Sequence, residues 1–241
     1  DFTFEYNGDR FGWVKDDKGS HHLTLFVPGG RVCDTPSSPM KSGIAAVAKI
    51  HKGEFRMTAN QNLVIANISD EQKPKIEAVL EEYKILKTHE QSALRLNSIA
   101  CVALPTCGLA LAEAERYLPE LITELEEVIE EAGLRHDAIT IRMTGCPNGC
   151  GRPFLAEIGF VGRAPGKYNV YLGGGFHGQR LNKLYRQSVL ADDIKELLTP
   201  IIHAYAKERN EGERFGDFVI RAGYVKATTA GNNFHANIEQ V

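Results

Sequence analysis

At 241 residues, with 43% apolar and 24% charged side chains, the chain can bury one large core or two smaller ones and is too apolar to be disordered. A net charge of −3 gives no global attraction for nucleic acid or an anionic membrane, so neither is expected as a partner, and any anionic ligand needs local cations. No 18-residue apolar run marks a membrane span, and five cysteines in so long a chain point to reduced, metal-bound thiols in the cytoplasm rather than to disulfide staples.

The start at Asp1 has neither an initiator Met nor a signal pattern, and residues 1–13 read as the end of a domain that begins upstream. Residues 21–27 read as a strand stopped by Pro28-Gly29-Gly30, residues 42–51 as a short helix and residues 55–68 as one or two strand pieces. Ser69 and Gln72 form an S-x-x-Q capping box for a helix that carries Ile76, Val79, Leu80 and Tyr83 and should end near Ile85. Together these elements predict one α+β module over residues 14–87, with the polar run 87–91 as a linker.

Farther on, Leu118, Leu121, Ile122, Leu125, Val128 and Ile129 share a helical face, and Gly133 is placed to stop that helix. Its acidic side, Glu124, Glu126, Glu127, Glu130 and Glu131, reads as a solvated face. Residues 137–143 should be a strand running into Cys146, with further strands at 155–161 and 168–172, so the second cysteine pair is expected to open a strand-to-helix turn. A last amphipathic helix spans residues 192–208, with a kink expected at Pro200.

Cys101 and Cys107 stand in C-V-A-L-P-T-C, and Cys146 and Cys150 in T-G-C-P-N-G-C-G-R-P. Soft thiolates on tight turns suit an iron–sulfur cluster, whose sulfides also accept backbone N–H bonds. Structural zinc prefers pairs two to four residues apart, a spacing that only the second pair meets. Spacing alone leaves a cluster, a zinc site and unligated thiols open. Cys33 reads as a small buried hydrophobe after a strand, and none of the eight histidines has a metal-ligand spacing.

Gly173-Gly174-Gly175-Phe176-His177-Gly178 fits G-x-G-x-x-G after a strand, but Asp192 and Asp193 open a helical pattern with no apolar strand before them, which argues against dinucleotide binding. The glycines read instead as a turn that lets backbone pass close to something bulky. Arg152, Arg163, Lys167, Arg180, Lys183 and Arg186 gather in sequence around it, the last three at helical intervals. Asn60, Gln61 and Asn62 sit between strand pieces, where the local reading is a turn.

The stretch A-C-V-A-L-P-T-C-G-L-A-L-A-E-A-E-R-Y-L-P, with T-G-C-P-N-G-C-G-R-P-F-L-A-E-I-G-F-V-G, closely resembles the siroheme-containing sulfite reductases. The resemblance continues through G-W-V-K, L-T-L-F-V-P-G-G-R-V and F-R-M-T-A-N-Q-N-L-V-I-A, which look like the second sulfite/nitrite reductase repeat of that family. It implies an α+β fold: a ferredoxin-like repeat over residues 14–87, then an α/β siroheme and 4Fe-4S domain over residues 88–241.

The resemblance further implies that Cys101, Cys107, Cys146 and Cys150 ligate a 4Fe-4S cluster, and that Cys150 also bridges to the siroheme iron as the residue at the catalytic centre. By the same resemblance Thr144, Asn148, Arg152, Asn60 and Gln61 contact the cofactor. The implied reaction is six-electron reduction of sulfite to sulfide, in sulfate assimilation and cysteine biosynthesis. The electrons would come from NADPH through a flavoprotein reductase subunit, since A-P-G-K-Y-N-V-Y-L-G-G reads closer to the bacterial form than to ferredoxin-dependent enzymes. A siroheme nitrite reductase and a zinc-stabilised domain are the alternatives. In the family the basic cage around sulfite belongs to an upstream half, so these 241 residues are not expected to turn over by themselves.

Overall fold

The structure is a computed structural model that describes residues 6–233 and 235. Of the segment read as the end of an upstream domain, residues 1–5 lie outside the described residues. In chain order the elements are β1 (Gly12–Lys15), β2 (His21–Leu25), α1 (Met40–Ile50), β3 (Glu54–Met57), β4 (Leu63–Ile68) and α2 (Lys73–Glu82). There follow the single turn α3 (Ala93–Leu96), β5 (Ser98–Ala100), α4 (Leu118–Glu131), β6 (Ile141–Thr144), β7 (Ile158–Ala164), β8 (Lys167–Leu172), β9 (Lys183–Leu190), α5 (Ile194–Glu208) and α6 (Phe215–Arg221). The chain divides into two compact units, Gly8–Gln91 and the residues from Ser92 onward with Tyr6 and Asn7. Among the described residues no helix is long and apolar enough to cross a membrane.

The first unit is an antiparallel sheet of order β1-β2-β4-β3. Leu23, Leu25, Ile65 and Ile68 from its strands pack with Val47 of α1 and Ile76 and Leu80 of α2 in one core. Glycine is required at position 43 of α1, where a Cβ would stand 2.6 Å from Ile85 and 2.9 Å from Tyr83. The expected capping box is only half made. The Ser69 hydroxyl accepts from the Gln72 N–H at 3.3 Å, but the Gln72 side chain turns away to the Ile50 carbonyl and tethers α2 to the end of α1. The helix stops at Glu82, where the left-handed Lys84 lets the Ile85 N–H return to the Leu80 carbonyl at 2.8 Å.

The second unit is a five-stranded sheet of order β5-β6-β7-β8-β9, parallel through β7 and antiparallel beyond it. One face meets α4, α5 and α6 in a core that includes Ile141, Met143, Ile158 and Phe160 from the strands. All six apolar positions foreseen for α4 are buried, and Gly133 after it has φ +70°. Helix α5 contains Pro200 in its interior.

Three expectations fail here for identifiable reasons. The strand foreseen at 137–143 begins only at Ile141, because the Thr140 N–H and hydroxyl bond the Glu157 carboxylate at 2.8 and 3.2 Å instead of a neighbouring strand. The cysteine turn opens no α-helix: a single 3-10 turn, Pro153–Leu155, leads straight to β7. Arg180, Lys183 and Arg186 do not share a helix either, since residues 183–190 are β9. That strand also supplies the segment judged missing between the glycine run and Asp192, but it is antiparallel to β8, which a dinucleotide fold does not allow.

Glu157 is fully buried and ties three segments together, because its second oxygen accepts from the Gly216 N–H in α6 at 2.9 Å. Burial pushes its carboxyl up to about 7 against the pull of the bonds from Thr140 and Gly216.

Candidate metal-cluster site

The four cysteines occupy loops at the carboxyl ends of β5 and β6, neighbouring parallel strands in which Ala100 pairs with Met143. Cys101 follows β5 directly and its N–H bonds the Met143 carbonyl at 3.1 Å. Beyond β6, the Gly145 N–H donates to the Cys101 sulfur at 3.2 Å and the Thr144 hydroxyl to the same sulfur at 3.4 Å. Residues 43 and 44 positions apart in sequence therefore meet at one thiol.

The loop that carries Cys107 turns at Ala103, whose carbonyl accepts the Cys107 N–H at 2.7 Å, and folds back so that Leu111 and Ala112 both donate to the Gly145 carbonyl. Packing is tight enough that a Cβ on Gly145 would stand 2.6 Å from both the Ala103 Cβ and the Ala112 carbonyl. Cys146 and Cys150 flank a turn in which Gly149 has φ +70° and the Arg152 N–H bonds the Gly149 carbonyl at 2.8 Å. Gly151 brings this turn against the first pair: a side chain there would press on the Met143 carbonyl at 2.4 Å and approach the Cys101 nitrogen at 3.2 Å.

Exposure differs across the set, with Cys146 buried, Cys101 and Cys107 half-buried and Cys150 exposed. All four are free thiols. Among the described residues no three His, Cys, Asp or Glu side chains converge on a point where they could share one ion. A single tetrahedral zinc would hold its sulfurs about 3.8 Å apart, whereas a cubane offers each thiolate its own iron and accepts a wider spread. The N–H and hydroxyl donors on the Cys101 sulfur are the bonds a cluster thiolate takes. In donor chemistry the residues fit a 4Fe-4S cluster.

Thr144 is thus placed at the site, fully buried, with its hydroxyl on a cysteine sulfur. Asn148 is exposed at the tip of the Cys146–Cys150 turn, and Arg152, half-buried, takes a left-handed backbone at φ +55°. Asn60 and Gln61 belong to the other unit, in the turn joining β3 and β4, where the Asn60 amide donates to Asp9 at 3.3 Å and Gln61 has φ +68°. Cys33 lies in that unit too. It is half-exposed rather than buried, because it sits in an irregular loop and not on a covered strand.

The six cations of the sequence cluster scatter. Arg180 bonds the Gly173 carbonyl and pairs with Asp217 at 2.6 Å, Arg186 lies over the Tyr185 ring, and Arg163 and Lys167 are exposed on the β7–β8 hairpin. Lys183 is buried on β9.

Arg142 is the cation that the sequence reading passed over. It alternates with Ile141 and Met143 along β6, so its side chain stands on the sheet face opposite the helices, in register with Ile99, Gly159, Tyr171 and Leu184. It is 7% exposed, its Nε meets no acceptor, and among the described residues it has no acidic partner. Burial, and then the charge of Arg152, push its guanidinium down to about 10. An uncompensated buried charge costs about 3–5 kcal/mol. An arginine between two core residues of a short strand was a visible signal, but nothing in the sequence said that no acid would face it.

Residues 14–83 match the family model described as the nitrite/sulfite reductase ferredoxin-like half domain, and residues 93–230 match that of the nitrite and sulphite reductase 4Fe-4S domain. Over 234 residues the chain is 58% identical to the sulfite reductase [NADPH] hemoprotein beta-component of Shouchella clausii and 57% identical to that of Bacillus velezensis. Each alignment takes in 97% of this chain but 41% of the relative, so the chain spans about two-fifths of the length of these proteins. Among solved structures, the NirA protein of Mycobacterium tuberculosis superposes with a TM-score of 0.74 at 27% identity, over 92% of this chain and 42% of that one. Dissimilatory sulfite reductase I, at 14% identity, shares the fold with a TM-score of 0.62 over 92% of this chain and 72% of that one. The two matched domains and these relatives agree, and the chain belongs to the nitrite and sulphite reductase 4Fe-4S domain family.

Proposed function

We propose that this chain supplies the cluster- and siroheme-bearing part of a sulfite reductase hemoprotein that reduces sulfite to sulfide with six electrons. The observation that carries the reading is the convergence of two cysteine loops on the ends of β5 and β6, with the Gly145 N–H and Thr144 hydroxyl already aimed at the Cys101 sulfur. When bound, the siroheme and cluster supply the electron-transfer chemistry and the site where sulfur is held.

The chain's own residues hold and tune that chemistry. Cys101, Cys107, Cys146 and Cys150 would hold the cluster as thiolate ligands, and Cys150, the exposed member of the set, would also serve the siroheme. Gly145 and Thr144 lower the charge density on the Cys101 thiolate through their hydrogen bonds, which raises the potential of whatever it ligates. Asn148 and Arg152 stand beside Cys150 and would contact the cofactor; Asn60 and Gln61 would do so only through atoms that their own turn leaves over, since the Asn60 amide is given to Asp9. The relatives' designation as the beta-component of an NADPH enzyme supports a flavoprotein partner that delivers the electrons, and five free cysteines favour a reducing compartment such as the cytoplasm.

The test is an absorption spectrum of the purified protein with iron and acid-labile sulfide analysis. Strong visible bands and five irons to four labile sulfides, the fifth iron being that of siroheme, support the reading, and a colourless zinc protein sinks it. Both family models embrace nitrite reductases, so turnover with sulfite is to be compared with turnover with nitrite in the whole hemoprotein that contains this chain; a marked preference for nitrite would move the assignment to the sister activity.

A further inference from the structure

Arg142 lies two residues before Thr144 on the same face of β6, so it stands one pleat away from the hydroxyl that touches the Cys101 sulfur. On this face the neighbours in its row are Ile99, the side-chain-free Gly159, Tyr171 and Leu184, none of which carries a negative charge. The Tyr171 hydroxyl is bonded to His235, and in the next row Asn169 accepts from the Ser188 N–H. Among the described residues the one charge that shifts Arg142 is that of Arg152, which is of the same sign. A cation nine-tenths buried, with an unpartnered Nε and no acid among the described residues facing it, carries a large cost that an anion from outside these residues would remove.

Resting on the function proposed above, we propose that Arg142 is a siroheme-binding residue whose guanidinium grips one carboxylate of the tetrapyrrole through its Nε edge. The unpartnered atom belongs to the planar fork of donors that matches a carboxylate in bidentate fashion. A cluster offers single sulfur acceptors, which one N–H or hydroxyl satisfies, as Gly145 and Thr144 do. The fork fits the carboxylate better.

The experiment compares the polypeptide as the cell makes it with its Arg142→Met and Arg142→Lys variants, all purified from cells that synthesise siroheme. Extracted siroheme per protein, acid-labile sulfide and the melting temperature of the cofactor-free form are measured. For Arg142→Met, siroheme retention should fall roughly tenfold to a hundredfold, the loss of one charged bidentate contact. Its labile sulfide should stay constant and its cofactor-free form should melt no lower than the parent, because the substitution removes an unpaired buried charge. Arg142→Lys, which keeps the charge and loses the fork, should retain an intermediate amount. Full siroheme content in Arg142→Met overturns the inference. So does a lower melting temperature of the cofactor-free Arg142→Met form, which would mean that a protein carboxylate is the true partner. A parent protein with neither siroheme nor labile sulfide overturns the parent function and this inference together, whereas siroheme lost only from the variants separates the two.

Discussion

The turn at residues 58–62 and the loops that carry the cysteines are both tight, polar and set on strand ends, yet they handle their polar groups in opposite ways. In the first, the Asp9 carboxylate accepts from the Asn60 and Asn62 amides and the Thr58 hydroxyl, while the Asn62 side-chain Oδ1 accepts from the Val27 N–H at 3.0 Å. In the second, donors are spent on a sulfur, four thiols stay free and the nearby Arg142 Nε has no acceptor. A self-satisfied polar network rigidifies its own unit; a half-satisfied one beside free thiols has the character of a binding site.

The largest expected effect separates the two regions outright. Replacing Cys101, Cys107, Cys146 or Cys150 with Ser should abolish the cluster, because an alkoxide is a poorer ligand for this soft site, and iron and labile sulfide analysis reads the loss. Full cluster iron in the Cys101 or Cys107 variant would break the contrast.

Next comes Glu157, which holds the cysteine-bearing unit together away from the thiols. Its folded-state value of about 7 lies above the ordinary 4.5, so the folded chain binds the extra proton. That contribution is complete below about pH 4.5 and is lost as pH rises through about 7. Across that window it amounts to about 3 kcal/mol at most. Glu157→Gln should flatten this part of the stability profile, and thermal melts between pH 5 and 8 would reveal an unflattened one.

Asn62→Ala tests the self-sufficient turn. It strands the buried Val27 N–H and removes a donor from Asp9, at a cost of about 2 kcal/mol. Denaturant unfolding should register the loss while cluster iron and sulfide are unchanged; a loss of cluster would show that the two regions are not independent. The smallest effect belongs to Cys33→Ala, a half-exposed loop thiol outside the set of four, with a change within about 0.5 kcal/mol and an unaltered spectrum.

Local signals in the sequence carried much of the fold. The apolar stripe of α4 and its Gly133 stop are readable because helical periodicity and a left-handed glycine are properties of neighbouring residues. The two cysteine pairs were legible for the same reason, and the wording around them pointed to the family. What lay beyond reach depended on partners far away in sequence. The strand expected at 137–143 was shortened by Glu157, 17 residues downstream, and the charge spacing that suggested a helix over 180–186 was overridden by pairing with β8.

The sequence by itself determined which atoms can bind metal, since thiol chemistry and turn residues travel with the chain. Only the tertiary structure decided that Gly145 and Thr144 would meet the Cys101 sulfur, and that Arg142 would be buried with no acid to face it. Both follow from the parallel register of β5 and β6 and from which sheet face the helices cover, and such long-range pairing is fixed by the whole core rather than by any local run of residues.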